Sequence, residues 1–93
     1  MALDSLTMRV KYHLKEDRFE VEGDIKPEKY RNIVSSFLSS QMDEGEDKRK
    51  ANELEVYCIK LTWYPHTDRI ESRSNTGNLG LRDGILLHFL NKQ

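Results

Sequence analysis

Three histidines, one cysteine and a glycine-containing loop are the first places in this chain where chemistry would be sought. His13 falls in a strand-like pattern, His66 in a turn, and His88 just off the apolar stripe of the closing helix. No two have the helix or hairpin spacing of a metal site, and pairing Cys58 with His13 would need adjacent strands in suitable register. No metal and no cofactor is expected. Cys58 lies mid-strand between Tyr57 and Ile59, where packing as a small hydrophobe or within a partner interface is favoured. A reactive thiol needs exposure and an electropositive neighbour. His66 and Asp68 could pair locally beside Arg69, although hydrogen bonding within a surface turn is the simpler account.

The run Gly77–Gly84, GNLGLRDG, precedes a helix. Amides around Gly77 and Gly80 could face an anion, with Arg73 or Arg82 supplying charge. The run lacks the lysine and Ser/Thr of a phosphate-binding P-loop, and its spacing is not that of the GxGxxG fingerprint. An ordinary turn and helix start is favoured over a phosphate site. Serines and carboxylates form no recognisable nucleophile set, so an enzyme of unknown class ranks behind the binding functions.

These residues must be positioned by a few elements, organised around Glu53–Tyr64, ELEVYCIKLTWY. One parity, Tyr57, Ile59, Leu61 and Trp63, is wholly apolar. The other carries Leu54, Val56 and Cys58 before turning polar at Lys60 and Thr62. Apolar residues on both faces predict a central strand. Thr7–Leu14 alternates with Met8, Val10, Tyr12 and Leu14 inward, and Arg18–Glu22 returns with Phe19 and Val21 inward, which predicts a hairpin across Lys15–Asp17. Gly23-Asp24 ends it. Pro27 suits a first helical position, and Tyr30, Ile33, Val34, Phe37 and Leu38 give that helix one apolar stripe. Arg69–Arg73 is a short strand after the Pro65–Asp68 turn, and Leu81–Leu90 predicts a closing helix in which Gly84 could permit close packing. Residues 42–52 predict a flexible charged linker, acidic and then basic, with a possible docking role.

The halves share the order strand, turn, strand, helix. Arg18-Phe19 matches Arg69-Ile70, Val10-Lys11-Tyr12 matches Ile59-Lys60-Leu61, and Phe37-Leu38 matches Phe89-Leu90. The expected fold is α+β, a two-layer ββα-ββα pseudo-repeat with an antiparallel four-stranded sheet and two helices on one face. A ferredoxin-like connectivity or an interleaved homodimer are the alternatives.

At 93 residues the chain fits one domain, able to bury roughly 60–65% of its unfolded surface. Fifteen basic and sixteen acidic side chains leave a net charge of −1, with no global pull toward nucleic acid or anionic membrane. A single cysteine excludes an intramolecular disulfide and points to a reducing compartment. No apolar run is long enough for a membrane span, and the start, interrupted by Asp4, lacks a signal-peptide pattern. A cytoplasmic protein is expected.

The sheet face away from the helices would present Arg9, Lys11, His13, Arg18, Lys60, Arg69 and Arg73 with Val56 and Cys58 as a small apolar spot. The leading functional reading is a noncatalytic interaction or assembly module, binding a protein partner or itself. It would dock through Val56 and Cys58, or through a sheet edge or the linker, with Arg9, Arg18, Arg69 and Arg73 giving orientation. RNA or DNA binding through the arginine-rich face and the glycine loop is second. Tyr12, Phe19, Tyr57 and Trp63 are expected to point toward the helices, which deprives the outer face of stacking platforms.

Overall fold

The computed structural model describes residues 5–40 and 54–92. The linker expected at 42–52 and the first residues of the chain lie outside them. Strand β1 (Leu6–His13) and β2 (Arg18–Gly23) form the first hairpin, followed by a 3₁₀ turn at Pro27–Lys29 and helix α1 (Tyr30–Ser40). Strands β3 (Val56–Tyr64) and β4 (Arg69–Ser74) form the second hairpin, followed by helix α2 (Leu79–Asn91). One sheet results, ordered β2-β1-β3-β4 with every neighbouring pair antiparallel. The expected α+β architecture and the central position of β3 are therefore present, with all four strands supplied by one chain. No helix among the described residues is long and apolar enough to cross a membrane.

Strand parity determines the layers. Met8, Val10, Tyr12, Tyr57, Ile59 and Leu61 turn inward from the two central strands and are buried. Ile33, Val34 and Phe37 from α1 and Ile85, Leu86 and Phe89 from α2 join them in one core cluster. Both helices thus cover the same sheet face, as the apolar stripes require. Phe37 and Phe89 are the largest fully buried side chains, and truncating either to alanine would cost about 3–5 kcal/mol.

The ends of the first hairpin show where its strands stop. Leu14 does not continue β1 inward but is 47% exposed, because its carbonyl already accepts from Asp17 N at 3.3 Å to close the turn. Past the last β1 residue, His13, which pairs with Val56, one further backbone bond runs from Leu14 N to Glu55 O at 3.0 Å, and β3 itself spans Val56–Tyr64. Leu54 N donates to the Tyr57 hydroxyl at 3.2 Å. At the other end of the hairpin, Gly23 takes φ +133°. A Cβ there would meet Thr7 O at 2.4 Å, an acceptor that already takes Asp24 N and Ile25 N.

The hairpin turns resemble one another closely. Asp17 and Asp68 are the two described non-glycine residues with positive φ. Each accepts a hydrogen bond from an aromatic five positions earlier, Tyr12 Oη at 2.8 Å and Trp63 Nε1 at 3.2 Å. The turns equate Tyr12 with Trp63, which puts the sequence match of Val10-Lys11-Tyr12 to Ile59-Lys60-Leu61 out of step with them. Val10 and Ile59 are instead direct cross-strand partners.

Candidate functional site

Alternation along four strands places one set of polar side chains on the sheet face that no described element covers. The register then sorts them into rows. Arg9 stands opposite Lys60, and Lys60 opposite Arg73, so three cations lie side by side across β1, β3 and β4. Glu22 completes the row on β2, but its carboxylate pairs with Lys11 at 3.4 Å. Among the described residues no ion pair reaches Arg9, Lys60 or Arg73. Like charges directly opposite one another destabilise a sheet, and here that occurs twice in one row.

The four arginines singled out from sequence therefore divide into two kinds. Arg18 donates to Glu16 at 2.9 Å and, through a short contact, to Glu20. Its guanidinium is raised further above its ordinary value by Glu20 and then Glu16, while Arg18 in turn lowers Glu20. Arg69 pairs with Glu71 at 3.0 Å and lies 4.8 Å over the Tyr64 ring. Arg9 and Arg73 have no such partners among the described residues.

Cys58 sits next to the cation row, opposite Lys11, and is exposed rather than packed. Val56 is half-buried one step further along β3. Arg9, Lys11, Cys58, Lys60, Arg73 and Asn75 help line a shallow depression of about 380 Å³. Asn75 shapes one wall by clamping the β3 backbone, accepting from Cys58 N and donating to Val56 O, both at 3.0 Å. A neighbouring depression of about 720 Å³ takes in Lys60, Thr62, Glu71 and Arg73, and reaches Ser72 and Arg82 on the other side of β4.

Of the anion group, Arg73 and Arg82 both line this depression from opposite sides of β4, whereas Gly77 and Gly80 do not reach it. Arg73 projects from the outward parity of β4, whereas Arg82 is 6% exposed on the helix side. Its guanidinium lies 4.9 Å over Phe37, contacts Asp83 at 3.0 Å and approaches Ser72 Oγ at 3.5 Å. Such an arginine ties α2 to α1 and β4. Gly77 and Gly80 are exposed beside the helix start, where Asn78 Oδ1 already caps Leu81 N at 2.9 Å.

Sequence reasoning missed a second polar cluster, at the first turn. Asp17 Oδ1 lies 2.6 Å from His88 Nε2 and accepts from Tyr12, while Asp17 Oδ2 is 3.1 Å from Lys92 Nζ. His88, then Tyr12 and Lys92, hold the Asp17 carboxyl well below the usual carboxylate range, and Asp17 in turn raises the Tyr12 hydroxyl. His88 also stands edge-on to Tyr12 at 5.7 Å. This constellation fastens the β1–β2 turn to the end of α2. The recurrent aromatic-to-aspartate interval of five residues was its sequence signal. Asp68 accepts from Trp63 Nε1 at 3.2 Å, a hydrogen bond within its own hairpin, and among the described residues it makes no hydrogen bond to His66. Among the described residues no group of three His, Cys, Asp or Glu side chains is placed to hold a metal ion.

Comparison of the chain with protein-family models, with curated proteins and with solved structures finds no match.

Proposed function

We propose that this protein is a noncatalytic docking module that receives a partner protein on the outward face of its sheet. The observation that carries the reading is the Arg9–Lys60–Arg73 row, three cations that form no ion pair among the described residues, on a face no described element covers. A repulsive arrangement across the two central strands and β4 is costly by itself and becomes favourable when an anionic partner arrives. Val56 and the exposed Cys58 supply an apolar spot beside it, and the single thiol suits a reducing, cytoplasmic setting. A partner protein fits this face better than nucleic acid does. Glu20, Glu22 and Glu71 share the face and would repel a phosphate backbone, while Tyr12, Tyr57 and Trp63 pack inward with the core cluster, which leaves Tyr64 as the ring on that side.

The test is affinity capture with the tagged protein from lysate of its own source, with and without nuclease, comparing wild type with Val56→Asp. A defined protein identified by mass spectrometry, retained after nuclease and lost from a folded Val56→Asp variant, supports docking through this face. Equal capture by the folded variant would remove the face from consideration. Recovery that depends on nucleic acid would transfer the cation row to nucleic-acid binding.

A further inference from the structure

Resting on that docking reading, we infer that the cation row is the receptor for a short extended acidic segment of the partner, a carboxylate followed at two-residue intervals by small apolar side chains. Neighbouring strands lie about 4.8 Å apart, so Arg9 and Arg73 flank Lys60 on either side at one strand's distance. A carboxylate over Lys60 would have a guanidinium within side-chain reach on both sides, and guanidinium groups accept carboxylates through two parallel hydrogen bonds.

The same face is graded along β3. From Lys60 the next outward residues are Cys58 and then Val56, each step about 6.6 Å for two residues of extended chain. A segment laid along β3 has the same period. With its acid above Lys60, its next two side chains on that side fall over Cys58 and Val56. Lys11 stands opposite Cys58, but Glu22 already engages it, and Glu20 pairs with Arg18 and lies 3.3 Å from His13. The unneutralised charge is therefore concentrated at one end of the apolar spot, and a bound segment is held in one direction.

The probe is a fluorescent peptide of about ten residues in which every second side chain is in turn a glutamate, a valine and a valine, with serine at all other positions, compared with its glutamine-for-glutamate version and with a single-stranded oligonucleotide of similar length. The glutamate peptide should bind the wild type, and Lys60→Gln should weaken it by about tenfold, the loss of one well-placed charge-assisted contact. Arg18→Gln, at a site already neutralised by its own strand, should change binding by less than about twofold. Lys60→Gln should also melt at the wild-type temperature or a few degrees higher, since it relieves two like-charge pairs, which shows that a loss of binding is not a loss of fold. Equal binding of the glutamine peptide, equal effects of Lys60→Gln and Arg18→Gln, or tighter binding of the oligonucleotide would each overturn the inference. Capture of the natural partner that survives Lys60→Gln but fails with Val56→Asp would overturn it while leaving the docking reading intact.

Discussion

Asp17 shows how much one exposed side chain can organise. It occupies a left-handed backbone position at φ 50°, which aspartate and asparagine tolerate better than most residues, and it gathers Tyr12, His88 and Lys92 around one carboxylate. That carboxyl, with an ordinary value near 3.8, is lowered in the folded chain. The folded state consequently binds fewer protons than the unfolded chain as acid is added. The contribution is complete above the unfolded value and is lost as pH falls below about 4. Asp17→Asn keeps a residue that accepts the backbone conformation and removes the charge. Its melting temperature should be lower than wild type at neutral pH, and the difference should shrink between about pH 5 and about pH 3. Thermal melts across that range check this; an unchanging difference would mean that Asp17 acts through the turn backbone alone. Arg82 makes the complementary point. Its sequence position beside glycines suggested a ligand, whereas its burial over Phe37 makes it part of the interior.

At the scale of elements, what could be read from sequence was whatever repeats locally. Period-two alternation gave the inward set Met8, Val10, Tyr12, Ile59 and Leu61, and three-to-four spacing gave Ile33, Val34, Phe37, Ile85 and Phe89, because both patterns reflect one buried face. Register is not local. That Lys60 stands between Arg9 and Arg73 depends on which residues meet across β1 and β3, and strands so far apart in sequence carry no local mark of their pairing. The candidate site was therefore legible in its residue types but not in its grouping, and the Asn78 cap of α2 was overlooked within a loop read for anions. Two glycines separate backbone need from mere occurrence. Gly23→Ala combines a strained φ with a clash against Thr7 O and should destabilise by about 2–3 kcal/mol. Gly84 has open space where a Cβ would lie, so the close packing its sequence position suggested is absent within the described chain, and Gly84→Ala should stabilise by about 1 kcal/mol. Urea titrations of the two variants, at unchanged m-value, measure both effects.

For the molecule as a whole, the central fact is that two hairpin-helix halves share one core. β1 and β3 pair along Leu6–Trp63 through His13–Val56, and residues from α1 and α2 meet in the cluster they cover. Neither half has a closed interior of its own: separating them would expose Val10, Ile59 and Leu61, each at 0% exposure. Folding should thus be a single cooperative event, with a stability of roughly 5–15 kcal/mol. Native-state hydrogen exchange tests this directly. Both central strands have hydrogen-bonded neighbours on each side, so the amides of Val10, Tyr12, Ile59 and Leu61 should exchange only through global opening and report one common free energy, equal to that from denaturant. Amides on the outer edges of β2 and β4 should exchange faster through local fraying. If the β1–β2 amides instead opened with a lower free energy than the β3–β4 amides, the halves would be separate folding units and the β1–β3 seam a weak joint. The docking row would then cross that joint, because Arg9 belongs to one half and Lys60 and Arg73 to the other. A row spanning one cooperative unit stays assembled whenever the protein is folded, which is the condition for presenting three like charges to a partner at fixed spacing.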